Sequence, residues 1–306
     1  MSALGDAAAD YLALRRAVGF KLGGLDRPLA DFVSYVEKEG DGTISVALAL
    51  AWAAQGTKSA HRVARRLGWA RCFCRYVQAH DPRHEVPPPR LLAGVGRARR
   101  IPHLYSESEI LEMMHGARRL APASWAATVE VVLGLLFVTG MRIGEVLALD
   151  LDDVDGDAGV LTVWLGKFDK SRLVPLAPSS LAALRGFLEV RNEMASEERS
   201  ALFLRRDGRR RLSHKAFSTA FHLLLGDAGL PTGEERPHVH DLRHSFAVRT
   251  LVEWHRQGVE VQTRLALLST YLGHVDPAAT YWYLTGTPEL LGIVAERLET
   301  DEGGRP

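Results

Sequence analysis

Thiols are scarce in this sequence. Of 306 residues only Cys72 and Cys74 carry one, which excludes a disulfide framework and any four-cysteine zinc site and fits a reducing cytosol. Long apolar runs are missing too. The longest, Val131 to Val138, falls far short of the ~20 residues that a membrane-spanning helix needs. No basic segment followed by an apolar stretch opens the chain, so no export signal is expected. There is no internal repeat and no low-complexity segment. Excess charge is lacking as well: 38 basic and 37 acidic side chains leave a net +1. Hydrophobic residues nevertheless make up 46% of the chain, enough for a core, so wholesale disorder is excluded. At roughly 150 residues per domain the length suggests one large domain or two ordinary ones. The expectation is a soluble, cytoplasmic protein with no membrane partner.

The near-zero total hides an uneven distribution. Residues 58–100 hold eleven basic side chains and two acidic ones, Asp81 and Glu85. A second basic cluster, Arg205-Arg206-Asp207-Gly208-Arg209-Arg210-Arg211, sits in the otherwise acidic remainder. Local positive charge on a nearly neutral chain suggests a polyanion footprint, although a solvated helix face plus a basic linker would look the same.

Periodicity divides the chain in two. Up to residue 79 it is helical, with apolar positions at helical spacing over 10–18 and 29–36, and glycines between. A long amphipathic stretch over 58–79 sets Val63, Leu67, Ala70, Phe73 and Val77 on one side, with Arg62, Arg65, Arg66 and Arg75 elsewhere. Prolines at 82, 87, 88, 89 and 102 forbid a regular element over 80–102, because proline lacks an N–H and forces its predecessor from helical angles. The segment is read as a basic linker, carrying Arg97, Arg99 and Arg100, between a helical domain at 1–100 and a second domain at 103–306. The second begins with a helix cap at SESE, 106–109, and a helix over 124–138. A hairpin follows, built from GVLTVWL (159–165) and RLVPL (172–176) around the turn GKFDK. Helical patterns then cover 178–194, 214–228, 240–256, 261–272 and 288–299. The fold class expected is mainly α with a small antiparallel sheet: a helical N-terminal domain plus an α+β domain.

Several residues carry chemistry when taken together. Arg142 lies in TGMRIGE, where it can also pair with Glu145 on the next turn. Lys167 sits in the hairpin turn. HDLRH places His240, Arg243 and His244 on one face of a helix start. LGH ends a helix at Gly273, with His274 beyond, and Tyr283 follows nine residues later. Two guanidiniums can grip the non-bridging oxygens of a phosphate and stabilise charge that develops there. Imidazoles can donate, or accept a proton, and a lysine can protonate a leaving oxygen. A phenol can attack phosphorus and form a covalent intermediate. The set contains no carboxylate pair suited to Mg²⁺, so no metal or cofactor is expected.

In four segments, in this order, the sequence resembles the tyrosine recombinases, or phage integrases: TGMRIGEVLALDLDD (139–153), GKFDKSRLVPL (166–176), HDLRHSFAVRTL (240–251) and LGHVDPAATYWYL (272–284). The resemblance covers about 103–298 and implies the catalytic set Arg142, Lys167, His240, Arg243, His274 and Tyr283. Glu145 would orient the site and His244 would pack near His240. In the family the lysine follows the first Gly of a G-K-G-x-K pattern, which gives Lys167. Phe168 replaces the second Gly, and Lys170 is the alternative. The nucleophile lies three residues after a Thr, so Thr280 points to Tyr283 rather than Tyr281. Residues 1–100 resemble the family's core-binding domain only in length and helicity, with Arg62, Arg65, Arg66, Arg97, Arg99 and Arg100 as expected DNA contacts. The long segment between HDLRH and LGH is more like recombinases of bacterial mobile elements than Xer-type housekeeping enzymes.

The resemblance implies cleavage and rejoining of double-stranded DNA through a 3′-phosphotyrosine, for integration, excision or transposition of a mobile element. It also implies a nucleoid-associated protein that is monomeric when free and tetrameric on DNA, with accessory or sister recombinases as further partners. The tail after Pro288 (Leu290, Leu291, Val294, Leu298) resembles the family's C-terminal helix that packs on a neighbouring protomer. A type IB topoisomerase uses the same chemistry without exchange. A metal hydrolase built on His238, His240, His244 and His274 is permitted by spacing, but leaves both arginines and Tyr283 without a role. A DNA-binding protein of this fold without catalysis is the last alternative, and all six positions carry competent residues.

Overall fold

A computed structural model describes residues 2–20, 22–89, 91–92, 101–165, 170–194, 200–233 and 235–273. The chain divides into two compact units, residues 1–100 and 101–306.

The first unit contains helices α1 (Ala3–Ala17), α2 (Asp26–Glu39), α3 (Val46–Ala54) and α4 (Ala60–Gln78). Ser2 and Ser45 cap α1 and α3 by accepting from the amides of Gly5 and Leu48, which satisfies donors that a helix start leaves orphaned. Phe32, Trp52 and Phe73 meet at the centre, with Phe32 4.8 Å from Trp52 and 6.5 Å from Phe73 between ring centroids. Sequence periodicity does not reveal α3. Its nine residues, VALALAWAA, are apolar on every side and so show no helical stripe. In α4 the expected face is buried at Leu67, Ala70, Phe73 and Val77. The described part of the proline-rich segment forms no regular element, and the unit itself holds it. Arg71 donates to the carbonyls of Pro87 and Pro88 at 2.8 and 2.9 Å, and His84 Nδ1 accepts from the amide of Ile44.

The second unit starts with α5 (Glu107–Arg118), opened by the expected capping box of Ser106 and Glu109. Next come α6 (Ala123–Thr139), α7 (Ile143–Ala148), strands β1 (Val154–Asp155), β2 (Val160–Leu165) and β3 (Lys170–Pro175), then α8 (Pro178–Glu193), α9 (His214–Asp227), α10 (Val239–Arg256) and α11 (Val261–Leu272). The strands form one antiparallel sheet in the order β1-β2-β3, with Val163 opposite Arg172 and Leu165 opposite Lys170. Two residues are too few to alternate, which is why β1 is invisible to pattern reading. Helices with a small antiparallel sheet are thus the class the sequence led one to expect. The expected helix over 288–299 lies outside the described residues. Among those described, no helix is long and apolar enough to cross a membrane.

The core of this unit is built on α6, whose Val129, Val132, Leu133 and Leu136 are all but fully buried. A second cluster joins α10 to α11 through Ala247, Val248, Leu251, Leu265 and Leu268. The two meet where α6 stops. Gly140 ends α6 in the left-handed region at φ +62, and a Cβ built there would lie 2.8 Å from Cγ of Phe246 on α10. Glycine is required both for the turn and for the close approach. Gly140→Ala is expected to lower the unfolding free energy by about 3 kcal/mol, combining left-handed strain with overpacking. Urea denaturation followed by circular dichroism measures it, and a loss under about 1 kcal/mol would contradict the crowding.

Candidate active site

A buried arginine must find acceptors, and here three arginines find theirs around one helix terminus. Arg142 follows the α6 turn and is the residue that caps α7. Its amide donates to Glu145 Oε2 at 2.9 Å, its Nη1 to Glu145 Oε1 at 2.8 Å, and its Nη2 to the carbonyl of Gly273 at 2.9 Å. Arg243, only 2% exposed, comes from the first turn of α10. It donates from Nη1 to the Gly140 carbonyl at 2.9 Å and from Nη2 to the Leu272 carbonyl at 2.6 Å. Both guanidiniums therefore grip the last carbonyls of α11, which that helix cannot satisfy itself. Gly273 closes α11 at φ +66, and a Cβ there would stand 3.1 Å from Arg172 Nη1.

Arg172, on β3, is the third arginine. It forks onto the same carboxylate, donating from Nη1 to Glu145 Oε1 at 3.1 Å and from Nη2 to Oε2 at 2.6 Å. Its side chain is 10% exposed and that of Glu145 12%. Burial by itself would raise the Glu145 pKa. The Arg172 hydrogen bonds and charge, together with Arg142, outweigh it and hold the carboxyl below its ordinary value. Arg172 was not among the residues expected from the sequence. A signal for it did exist in the alternation of β3. Arg172 and the fully buried Val174 share one face, while Leu173 between them is 65% exposed. A strand that turns its Arg inward and its Leu outward requires a buried acid.

His240 and His244 lie one turn apart on α10 with ring centroids 4.9 Å apart, edge to face. His240 keeps an open edge to solvent, yet protein crowds the ring. Desolvation, then the charges of Arg243 and Arg142, push its pKa below the ordinary histidine value against the pull of Asp241. It is therefore neutral, and able to accept a proton, near pH 7. Tyr271 on α11 is a second unforeseen member. Its ring stacks on Phe246, and burial pushes the phenol up to about 12 although Arg172 and Arg243 draw it down.

Of the expected residues the structure thus brings together Arg142, Glu145, His240, Arg243 and His244. Lys167, His274, Tyr283 and Tyr281 lie outside the described residues, as do Arg97, Arg99 and Arg100. Lys170 opens β3. On α4, Arg62 and Arg65 are exposed. Arg66 is engaged within its unit, donating to the Gln55 carbonyl and to Asp31 with its guanidinium over the Trp52 ring. Among the described residues no three of His, Cys, Asp and Glu gather where they could hold a metal ion.

Residues 104–289 match the family model described as Phage integrase family. A candidate integrase/recombinase of Sinorhizobium fredii, y4rB, is 39% identical over 98% of this chain and 98% of its own length. The tyrosine recombinase XerC of Azotobacter vinelandii is 31% identical over 91% of this chain and 89% of its own. Among solved structures, the Tn1549 transposon integrase in complex with transposon right end DNA superposes with a TM-score of 0.66 at 16% identity, covering 96% of this chain and 99% of that one. The XerH recombinase bound to palindromic difH substrate gives 0.65 at 20% identity over 89% and 78%. Both likenesses speak to the fold.

Because Glu145 is held ionised between two guanidiniums, its contribution to stability is full above the ordinary carboxylate value and is lost as pH falls through its own lower one. Glu145→Gln should cost about 3 kcal/mol at pH 6, the cost of stripping a buried pair of one partner. The gap to wild type should narrow at pH 3.5. Urea midpoints at the two pH values measure both quantities, and a gap that stays constant would contradict the assignment.

Proposed function

Since this chain belongs to the phage integrase family, we propose that it is a site-specific DNA recombinase of a mobile element, cutting and resealing strands through a 3′-phosphotyrosine. One observation carries the reading: Arg142 and Arg243 converge on the α11 terminus immediately before His274. Two guanidinium forks meeting at one helix terminus are a donor set suited to the oxygens of one phosphate. Relatives of the chain lend the substrate class, since the Tn1549 integrase and XerH are seen on DNA.

In this reading the Tyr283 phenolic oxygen attacks a backbone phosphorus in line with the 5′-oxygen. The O–P bond forms as the P–O5′ bond breaks. His240 takes the phenolic proton, which its lowered pKa permits near neutrality. Lys167 gives a proton to the departing 5′-oxygen, and Arg142, Arg243 and His274 stabilise the charge on the non-bridging oxygens. One phosphodiester is exchanged for another, so a 5′-hydroxyl from a second strand can reverse the step without an external energy source. Glu145 and Arg172 do not touch the phosphate; they fix the direction of Arg142. Residues 1–100, with the exposed Arg62 and Arg65, also contact the duplex, and protomers assemble as a tetramer on two duplexes.

Covalent trapping on a nicked suicide duplex in EDTA tests the chemistry. Wild type should give a denaturation-resistant protein–DNA adduct, and Tyr283→Phe none. An adduct that survives this substitution would move the nucleophile elsewhere. The positioning role of Arg172 has its own signature. Arg172→Met should slow single-turnover cleavage roughly 100-fold, about 2.7 kcal/mol of transition-state stabilisation. DNA affinity should change less than threefold, and Arg172→Lys should recover part of the rate. Equal losses in rate and affinity for both variants would point to a folding defect.

A further inference from the structure

The second basic cluster has no part in the site just described. Residues 203–212 form a hairpin. Leu204 and Arg211 bridge antiparallel, the Leu212 amide donates to the Phe203 carbonyl at 2.9 Å, and the Arg205 amide donates to the Arg210 carbonyl at 2.8 Å. Gly208 makes the reversal at φ +69. Asp207 accepts from the Arg209 amide at 3.1 Å, so the only acid of the turn is committed to shaping it. Phe203, Leu204 and Leu212 are buried at the base, while Arg205, Arg206, Arg209 and Arg210 are all exposed. Among the described residues none of these four guanidiniums lies within salt-bridge distance of a carboxylate. Arg211 differs. It donates to the carbonyls of Leu147, Ala148 and Leu149 at 3.3, 2.8 and 3.0 Å, and it pairs with Asp150.

That anchor sets the hairpin's place. It is fastened to the C-terminal end of α7, the helix that Arg142 opens, so its root stands about 10 Å along one six-residue helix from the phosphate-gripping arginine. Beyond Ser213, α9 begins with the exposed His214 and Lys215 and no acid in its first turn, which extends the positive edge.

Nothing in the turn's geometry requires arginine; Gly208 and Asp207 make it. Four like charges on a six-residue reversal repel one another, and an ordinary solvated surface would intersperse acids among them. A small anion would need converging, buried donors, whereas these are exposed and spread over both arms of a turn. A row of phosphates, ~3.4 Å apart along the axis of each DNA strand, suits that arrangement. We propose that the 205–210 hairpin is a second DNA-backbone contact, holding phosphates of the duplex a few base pairs from the cleaved one. The proposal rests on the DNA reading above.

Salt dependence tests it on the full chain, with an intact 30-base-pair duplex of arbitrary sequence as probe. Each lost phosphate contact lowers the slope of log affinity against log salt by about 0.9. Changing Arg205, Arg206, Arg209 and Arg210 together to Gln should therefore reduce the slope by about 3.6, and weaken binding at least tenfold in low salt. The corresponding four Arg→Lys changes keep the charge and should keep the slope. A Gln variant within one slope unit of wild type overturns the proposal, and so does a Lys variant that falls as far as the Gln variant. Suicide-duplex trapping at saturating protein separates the two readings. Wild type without an adduct would end the strand-exchange account, whereas an adduct together with unchanged slopes would end only the hairpin contact.

Discussion

Two of the three arginines at the candidate site hang on one carboxylate. Glu145 accepts from the amide and guanidinium of Arg142 and from both terminal nitrogens of Arg172, and so joins the start of α7 to the sheet. Without it two guanidiniums would face each other in a half-dry pocket. With it they form a charge-alternating cluster whose directions are fixed before any substrate arrives. Preorganisation of this kind is what makes donors effective toward a phosphate, since no reorganisation is left to do when charge develops.

The same cluster explains how so small a sheet earns its place. The strands bury few residues of their own, chiefly Leu161, Val163 and Val174, yet β3 carries the arginine that pairs with Glu145. The sheet works as an arm more than as a core element. Stability comes from α6 and from the α10–α11 pair, which meet where Gly140 admits the Phe246 ring. Stacking of Phe246 on Tyr271 continues that contact to the α11 terminus, so the packing that holds the unit together also sets where Leu272 and Gly273 present their carbonyls.

Local chemistry was largely legible in the sequence, and long-range pairing was not. The SESE cap, the β2–β3 hairpin, Gly273 as a helix end and the Arg142–Glu145 pair all follow from spacing over a few residues. What brings Arg142 to Gly273 is 131 positions of chain, and no periodicity encodes it. Arg172 escaped notice because KSRLVP reads as an ordinary strand until one asks which side is inward. Tyr271 escaped because a Tyr in an apolar helix face resembles core, and by its stacking it partly is. Helix α3 escaped because uniform hydrophobicity has no phase.

The arginines of the second unit fall into groups that differ in what a phosphate would have to displace. Both terminal nitrogens of Arg172 are taken by Glu145, and Arg211 is held by three carbonyls and Asp150. Their burial and pairing make them parts of the scaffold, since extracting either would strand an acid or leave carbonyls unsatisfied. Arg142 is intermediate: a guanidinium carries five N–H groups, and its bonds to Glu145 and Gly273 engage two of them on a side chain that is 39% exposed. The rest of the fork can take a phosphate oxygen while the first two bonds still aim it. Among the described residues Arg205, Arg206, Arg209 and Arg210 pair with no acid, and they are exposed, so a passing phosphate would displace only water and counterions. In the proposed reading, that gradient among Arg172, Arg142 and the hairpin arginines would separate scaffold from catalysis and capture in chemically identical side chains, through what surrounds each of them.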